Sequence, residues 1–217
     1  MCSRFTQTEI GPLLHRLLGP GIAELPARYN IGPGQEALAV RSLPGNGPAP
    51  ARMRFGWPRR NGPPGLLLNV RAETAAAKFR EALRTRRAVL PADGFYEWTG
   101  FPGDRRPWLV RRRDRQPFPL AAFWTVQEPG DLPSFVILTI PPNEVVAAIH
   151  DRMPLVLSPE DCPLWLDPAA GDPGIDQRLR PPAPGDWEAV PVSRRVNRPD
   201  VDDPSLWVPD PDTPTLF

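Results

Sequence analysis

Apolar residues recur at helical spacing in two parts of the chain. Residues 6–18 carry four leucines that would share one face of a helix, with His15 among them. Residues 72–87 form the clearest predicted helix, because Phe79 and Leu83 lie on one face and neither glycine nor proline interrupts the pattern. Shorter helices are predicted over residues 143–150 and 158–166.

Most of the other apolar residues fall in short runs of the kind that form β-strands. Clusters of proline and glycine separate these runs and predict turns between them. Residues 43–65 lack such a run and contain PGNGPAP and NGPPG, which predicts a loop. The predicted strands lie in 28–42 after an initial turn, 66–71, 88–100 as strand, turn and strand, 108–113, 118–126, 135–140, 154–157 and 189–193.

This mixture of elements predicts a single α+β domain with a curved or barrel-like, mostly antiparallel sheet and a few short helices. A chain of 217 residues is long enough to bury a core, and seven tryptophans with nine phenylalanines supply apolar area for it, despite 33 prolines. The sequence shows no internal repeat, P-loop or dinucleotide fingerprint. Because it also shows neither a membrane-spanning run nor a secretory signal pattern, we expect a soluble, cytoplasmic protein. We also expect it to be a monomer.

The formal net charge of +1 conceals an uneven distribution of charge. Residues 199–217 contain five aspartates and no basic residue, so residues 1–198 hold 20 of the 25 acidic groups and all 26 basic ones. Every basic residue except Lys78 is an arginine, whose guanidinium group binds phosphate through two hydrogen bonds and stacks on flat rings. The main part of the chain is therefore rich in groups that suit phosphate binding.

The two cysteines, Cys2 and Cys162, are too few for a disulfide framework. Together with two distant histidines they do not suggest a zinc site, so we expect no metal and no other cofactor. Cys2 is chemically unusual, because removal of the initiator methionine would leave an α-amine separated from its thiol sulfur by only two carbon atoms. A neutral amine attacks an aldehyde to form an imine, and the thiol can then close a thiazolidine ring. The alternative is an incidental cysteine near the chain start.

Three further stretches contain polar side chains suited to chemistry. GFYEW places Glu97 on a strand otherwise suited to burial, where it is a general acid or base, a counter-charge for the Cys2 amine, or the partner of an arginine. In IHDRMP, His150 ends a short helix, where it is either an acid–base group or a capping residue. In NVRAET, Asn69 and Arg71 share a strand face, and their amide and guanidinium could hold a sugar and a phosphate.

Six stretches, MCSRF, ARYNI, NVRAET, VLPADGFYEW, IHDRMP and VNRP, occur in the order and approximate spacing of one family. From Cys2 to about Arg198 the chain resembles the SRAP family, the SOS response-associated peptidases or abasic-site processing proteins. The resemblance implies an SRAP domain over residues 2–198, followed by an acidic tail rich in proline and aspartate at 199–217. It also implies an enzyme of the DNA damage response that binds single-stranded DNA and captures abasic sites through a thiazolidine crosslink to Cys2.

The motif match carries the family's site residues to positions in this chain. The implied catalytic residues are Cys2, Asn69, Glu97 and His150. The implied DNA path consists of Arg4, Asn30, Trp57, Arg71 and Arg152. The chain departs from the family pattern at Ser3, where glycine is usual, at Val70, where alanine is usual, and over residues 54–65, where relatives have a longer loop. These departures leave the four catalytic positions intact.

Two other functions stay open at this point. In a thiol peptidase or autopeptidase, Cys2 would be the nucleophile, His150 the base and Glu97 the residue that orients the base. In a non-catalytic single-stranded DNA-binding module, intact and abasic strands would bind equally and Cys2 would not matter. The terminal Leu216 and Phe217 suggest a contact with a sliding clamp, and the implied DNA substrate suggests association with the nucleoid.

Overall fold

The computed structural model describes residues 2–22, 25–43, 45–59, 64–101, 103–170 and 180–211. Within these ranges the chain forms one α+β domain, as predicted, with mostly antiparallel sheets and five short α-helices. The helices are α1 (Gly11–Leu18), α2 (Ala72–Lys78), α3 (Arg80–Thr85), α4 (Glu144–Ala147) and α5 (Cys162–Leu166). None of the described helices is long and apolar enough to cross a membrane.

The described residues also contain fourteen strands, which form two main sheets and one small pair, β5 with β6. The strands are β1 (Arg4–Gln7), β2 (Arg28–Ile31), β3 (Glu36–Leu43), β4 (Asn46–Phe55), β5 (Trp57–Pro58), β6 (Leu66–Leu67), β7 (Asn69–Arg71), β8 (Arg87–Ala92), β9 (Gly94–Thr99), β10 (Arg106–Arg112), β11 (Phe118–Thr125), β12 (Ser134–Ile140), β13 (Met153–Pro154) and β14 (Trp187–Pro191).

The first sheet is antiparallel throughout and has the strand order β14–β10–β9–β1–β2. Strand β1 therefore lies between β2 and β9. In this register Arg4 is opposite Tyr96, and Phe5 is opposite Phe95. The pairing places the start of the chain beside the strand that contains the GFYEW motif.

The second sheet has the strand order β11–β8–β3–β4–β12–β13, and β7 also pairs with β12. Because β11 pairs with both β8 and β12, the strands form a partial ring, which agrees with the curved sheet predicted from the sequence. The parallel pairs are those of β12 with β4 and with β7. Strand β8 leads directly into β9 through Asp93, so one continuous segment links the two sheets.

Aromatic side chains pack the first sheet against the second. Phe5 of β1 meets Phe55 of β4 edge-on, with 5.6 Å between the ring centroids. Phe55 in turn stacks on Phe135 of β12 at 5.1 Å, and all three rings are fully buried. Aromatic pairs of this kind add stability beyond the apolar area that they bury. The contact holds β1, and with it the chain start, against the ring of strands.

The prediction that residues 43–65 form a loop is wrong for most of that segment. Residues Asn46–Phe55 form β4, which pairs with β3 and joins β12 at its far end. Pro48 and Pro50 have no N–H to donate, but residues two apart in a strand point their backbone groups to the same side. Both prolines can therefore face the edge that β3 does not occupy. Their presence marks an open strand edge and not a loop.

The helix predicted over residues 72–87 is divided into α2 and α3 at Phe79. Phe79 has φ −131° and ψ 31°, which lie outside the helical region. Its ring packs against Trp57 and Phe123, with centroid distances of 5.5 and 5.3 Å. Tertiary packing of one aromatic side chain therefore overrides the helical pattern. The strand predicted over 66–71 is likewise divided, into β6 and β7.

The described part of the predicted acidic tail, residues 199–211, lies against the first sheet. Asp202 accepts hydrogen bonds from the backbone N–H groups of Tyr29 at 2.5 Å and Asn30 at 3.0 Å. Leu206 is fully buried in a short helical turn. The boundary between residues 198 and 199 stays a prediction. The predicted clamp contact lies outside the described residues, at Leu216 and Phe217.

Candidate active site and the adjoining groove

Cys2 lies two residues before β1 and is fully buried. The side-chain amide of Asn69, the first residue of β7, donates through Nδ2 to the Cys2 carbonyl oxygen at 3.0 Å. Strand β7 is held by its parallel pairing with β12, so this bond ties the chain start to the second sheet. Asn69 Oδ1 is buried without a hydrogen-bond partner among the described residues. Since buried amide oxygens normally have a partner, a donor from a bound molecule would fit there.

Glu97 lies in β9 opposite Trp108 and is 1% exposed. Burial raises the pKa of its carboxyl group to about 7, and the positive charge at the amino terminus of the chain opposes that increase. Asp151 raises the pKa of Glu97 further, so the carboxyl group is within electrostatic reach of the loop that carries His150. A carboxyl group with this pKa exists in both forms at neutral pH and can therefore give or accept a proton.

The thiol of Cys2 is held in its protonated form. Burial raises the pKa of this thiol, and the negative charge of Glu97 raises it further. The thiolate is the nucleophilic form of cysteine, so Cys2 does not carry a ready-made nucleophilic sulfur at neutral pH. Attack by this sulfur requires a neighbouring group that accepts its proton.

His150 follows α4, and its side chain is 25% exposed. Its Nδ1 accepts a hydrogen bond from the backbone N–H of Arg152 at 3.0 Å and lies 2.9 Å from Asp151 Oδ1. Burial lowers the pKa of the imidazole, as does the amino-terminal charge, whereas Asp151 raises it. The net effect lowers the pKa, so the ring favours its neutral form and can act as a base.

The structure brings the four predicted catalytic residues to one region, although they come from separate elements. The Cys2 carbonyl oxygen accepts a hydrogen bond from the Asn69 side chain, and the Glu97 carboxylate raises the pKa of the Cys2 thiol. The pKa values of both Glu97 and His150 respond to the charge at the amino terminus. Glu97 therefore interacts with Cys2 itself, and His150 is within electrostatic reach of the start of the chain.

Two of the residues predicted to line the DNA path form a buried hydrogen-bond network. Arg4 donates through Nη1 to Asn30 Oδ1 at 3.0 Å and to the Val196 carbonyl at 2.8 Å. Asn30 is fully buried, and its Nδ2 donates to the carbonyls of Val196, Arg198 and Val201. These bonds hold the turn that contains the VNRP motif against β1 and β2.

The other three predicted DNA-path residues differ in exposure. Arg152 is 8% exposed and forms two hydrogen bonds with the Glu73 carboxylate, at 2.7 and 2.8 Å. Trp57 is half-buried and donates through Nε1 to the Ser134 carbonyl at 2.8 Å. Arg71 is exposed at the end of β7. Direct access of solvent is therefore greatest at Arg71.

Asp93 is a structural residue that the sequence patterns did not single out. It is 3% exposed and accepts hydrogen bonds from Thr6 Oγ1 at 2.5 Å and from Thr8 through both its backbone N–H and its Oγ1. It also accepts from the backbone N–H of Glu9 at 2.6 Å. These bonds fix β1 and the residues after it beside β9. The available signal was an aspartate before a glycine in a turn between two strands.

A groove of about 440 Å³ opens beside the chain start. Its walls come from three segments, namely the residues after Cys2, the hairpin between β9 and β10, and the turn after β14. The lining includes Ser3 and Arg4, Trp98 and Arg105, and Arg194 and Asn197. Sequence reasoning missed Trp98, Arg105 and Arg194, because no motif used for the prediction assigns them a role. Within the described ranges, no three His, Cys, Asp or Glu residues are grouped to hold a metal ion.

Comparisons with known proteins identify the family of this chain. Residues 1–199 match the family described as SOS response associated peptidase (SRAP). The abasic site processing protein YoqW of Bacillus subtilis is 32% identical, over 95% of this chain and 98% of its own length. The abasic site processing protein YedK of Escherichia coli is 34% identical, over 76% of this chain and 79% of its own length.

Solved structures agree on the fold. A phage-related protein from Bordetella bronchiseptica has a TM-score of 0.74 and 24% identity, over 89% of this chain and 95% of its own. A second protein from the same organism has a TM-score of 0.71 and 23% identity, over 88% of this chain and 100% of its own. The sequence match and the shared fold lead to one conclusion: the chain belongs to the SOS response associated peptidase (SRAP) family.

Proposed function

We propose that this protein binds single-stranded DNA and captures abasic sites through a covalent bond to Cys2, after removal of Met1. The names of its relatives, abasic site processing proteins, supply the substrate class. The observation that carries the proposal is the buried Glu97 carboxyl group, with a pKa of about 7, within electrostatic reach of Cys2. Imine formation at an amine requires a group that both accepts and donates protons near neutral pH.

The proposed reaction is a condensation followed by a ring closure. The ring-opened deoxyribose presents an aldehyde, the Cys2 amine adds to its carbon, and water leaves as the imine forms. The Cys2 sulfur then adds to the imine carbon, and its proton passes to the nitrogen. The product is a thiazolidine with the mass of protein plus DNA less one water. Because both nucleophiles belong to one residue, the second step is intramolecular and its effective concentration is high.

Each of the other three residues has a separate task in this reaction. Glu97 accepts a proton from the ammonium form of the amine and returns one to the departing hydroxyl group. His150, which favours its neutral form, takes the proton of the anomeric hydroxyl group as the sugar ring opens and returns a proton to the ring oxygen. Asn69 holds the Cys2 carbonyl and so sets the direction from which the amine meets the aldehyde. These tasks match the proton affinities and contacts of the three side chains.

The proposed DNA path contains Arg4, Asn30, Trp57, Arg71 and Arg152. Arg71 is exposed and suits direct contact with a phosphate. The other four are buried or half-buried, and their hydrogen bonds hold them in fixed positions along the path. Because phosphate contacts release counterions, binding should weaken as salt rises.

An abasic single-stranded oligonucleotide tests the proposal, with intact mass and a denaturing gel as readouts. Protein confirmed by mass to begin at Cys2 should gain the oligonucleotide mass less one water. Cys2→Ala should lose this product, whereas Cys162→Ala, which removes the other buried free thiol, should retain it. If wild-type protein that begins at Cys2 never gains this mass, the proposal is excluded. A non-catalytic binding module would also bind intact and abasic strands equally.

A thiol autopeptidase is the second candidate, because the family description names a peptidase. In that reaction Cys2 would attack a peptide carbonyl and His150 would accept the thiol proton. The raised pKa of the Cys2 thiol disfavours a resting thiolate and weighs against this candidate. Loss of Met1 in a translation system that lacks aminopeptidase, and its retention in Cys2→Ala, would support self-cleavage.

A further inference from the structure

We infer that the groove beside the chain start binds the nucleotide next to the abasic site, with its phosphate at Arg105 and Arg194 and its base against Trp98. The inference rests on the proposed function, since it assigns a second subsite for the same DNA strand. It goes beyond the predicted DNA path, which shares Arg4 with this groove.

The charge of the groove matches a phosphate. Three arginines line it, and its described lining contains no acidic side chain. Arg4 is engaged by Asn30 and a backbone carbonyl. Arg105 is exposed, and Arg194 pairs at 2.6 Å with Asp104 while its side chain remains 52% exposed. A surface ion pair of this kind is weak, and a guanidinium has five N–H donors, so Arg194 can bind a phosphate as well.

The aromatic wall of the groove is oriented before any ligand arrives. Trp98 donates through Nε1 to Asn197 Oδ1 at 2.7 Å, and Asn197 Nδ2 donates to the Arg105 carbonyl at 3.3 Å. These two bonds hold the edge of the indole ring while the residue stays half-buried. Base–aromatic stacking favours a ring that loses little freedom on binding. Trp98 therefore meets the requirements of a stacking surface.

The position and size of the groove select the nucleotide beside the lesion. Ser3 and Arg4 directly follow Cys2, and Trp98 directly follows Glu97. Since consecutive strand residues are about 3.3 Å apart, the groove begins next to the catalytic residues. Its volume of about 440 Å³ lies at the small end of the range for ligand sites and suits one nucleotide.

A matched pair of arginine variants tests the phosphate contact. Arg194 and Arg195 are adjacent, both side chains are 52% exposed, and each pairs with an aspartate, but Arg194 lines the groove. Binding of a fluorescent, undamaged single strand is measured by anisotropy across a salt series. Arg194→Ala should lower the slope of log K against log salt by about 0.7, the value for one phosphate on a single strand. Arg195→Ala should keep the wild-type slope. Equal slopes for the two variants would overturn the inference.

The base contact is tested by changing the DNA and the protein together. A stable abasic spacer replaces in turn each nucleotide that flanks a central position in an undamaged strand. For wild-type protein, one flanking position should bind about fivefold more weakly when its base is absent. In Trp98→Leu, confirmed as folded by circular dichroism, loss of that base should have no further effect. An unchanged fivefold effect in Trp98→Leu would overturn the stacking assignment.

These experiments separate the inference from the proposed function. The anisotropy measurements use undamaged strands, so they do not depend on crosslinking. If wild-type protein forms the crosslink but Arg194→Ala and Arg195→Ala bind alike, the groove assignment fails and the proposed function stands. If the Arg194 and Trp98 effects are found but no crosslink forms, the groove binds single-stranded DNA and the proposed reaction fails.

Discussion

Replacement of Glu97 by glutamine should make the protein more stable at alkaline pH and should do so by a predictable amount. Burial raises the pKa of Glu97 from 4.5 to about 7 in the folded protein. The folded state therefore binds more protons at this site than the unfolded state between these two pH values. The free energy of unfolding must then fall as pH rises through this window.

The size of the effect follows from the two pKa values. One pH unit corresponds to about 1.4 kcal/mol at 25 °C, so the interval from 4.5 to about 7 corresponds to about 3 kcal/mol. Glu97 is 1% exposed, so solvent screens little of this energy. Below pH 4.5 the carboxyl group is protonated in both states and the penalty is absent. Above pH 7 the penalty is complete. Glu97→Gln is uncharged at every pH and has no such penalty.

Urea unfolding of wild-type protein and Glu97→Gln at half-unit steps from pH 4.5 to 8.5 measures this difference. Both samples must begin at the same residue, which intact mass confirms. Glu97→Gln should gain about 3 kcal/mol relative to wild-type protein across the series. Subtraction of the two curves removes the contribution of every group that titrates alike in both. If the difference in unfolding free energy between the two proteins stays constant with pH, burial does not raise the pKa of Glu97 and the reasoning is refuted.

Two further substitutions test how the site is held. Gly94→Ala should lower the free energy of unfolding by about 2 kcal/mol in a urea titration, because a Cβ there would lie 2.7 Å from Leu109 Cδ1 and 2.9 Å from Thr6 Oγ1. Gly47→Ala is the control, since its Cβ would meet nothing within 4 Å, and equal losses would contradict the packing argument. Asn30→Ala should lose about 3 kcal/mol, because three backbone carbonyls and Arg4 lose a buried partner. A loss below about 1 kcal/mol would show that water replaces those bonds.

Sequence patterns predicted the fold class, but they failed where tertiary contacts determine the local secondary structure. FVILTI was predicted as a strand, because β12 is buried along its whole length and carries apolar residues at nearly every position. Strand β4 gave no such signal, since most of its residues are exposed and two are prolines. The division of the predicted helix at Phe79 depends on Trp57 and Phe123, which lie far away in the sequence. No local pattern contains that information.

Local sequence patterns reveal even less about the candidate site, because its residues come from distant parts of the chain. Each catalytic residue had an ordinary structural explanation when considered alone, and resemblance to a family grouped the four. Spacing along the chain cannot show that Asn69 bonds to the Cys2 carbonyl, because that contact depends on the parallel pairing of β7 with β12. The groove residues were missed for a related reason. Trp98 and Arg194 come together through the hairpin and the turn after β14, and no motif records that approach.

The network around Asn30 has a consequence for how the protein is made. The carbonyl groups that accept hydrogen bonds from the Asn30 side chain belong to residues 196–201. Asp202 accepts a hydrogen bond from the backbone N–H of Asn30 itself, in β2. The amino-terminal end emerges from the ribosome first, whereas these partners are translated near the end of the chain. Cys2 therefore leaves the ribosome well before the hydrogen bonds that join Arg4 and Asn30 to this segment can form. During that interval the start of the nascent polypeptide is not yet anchored by these bonds, and methionine-removing enzymes can act on it.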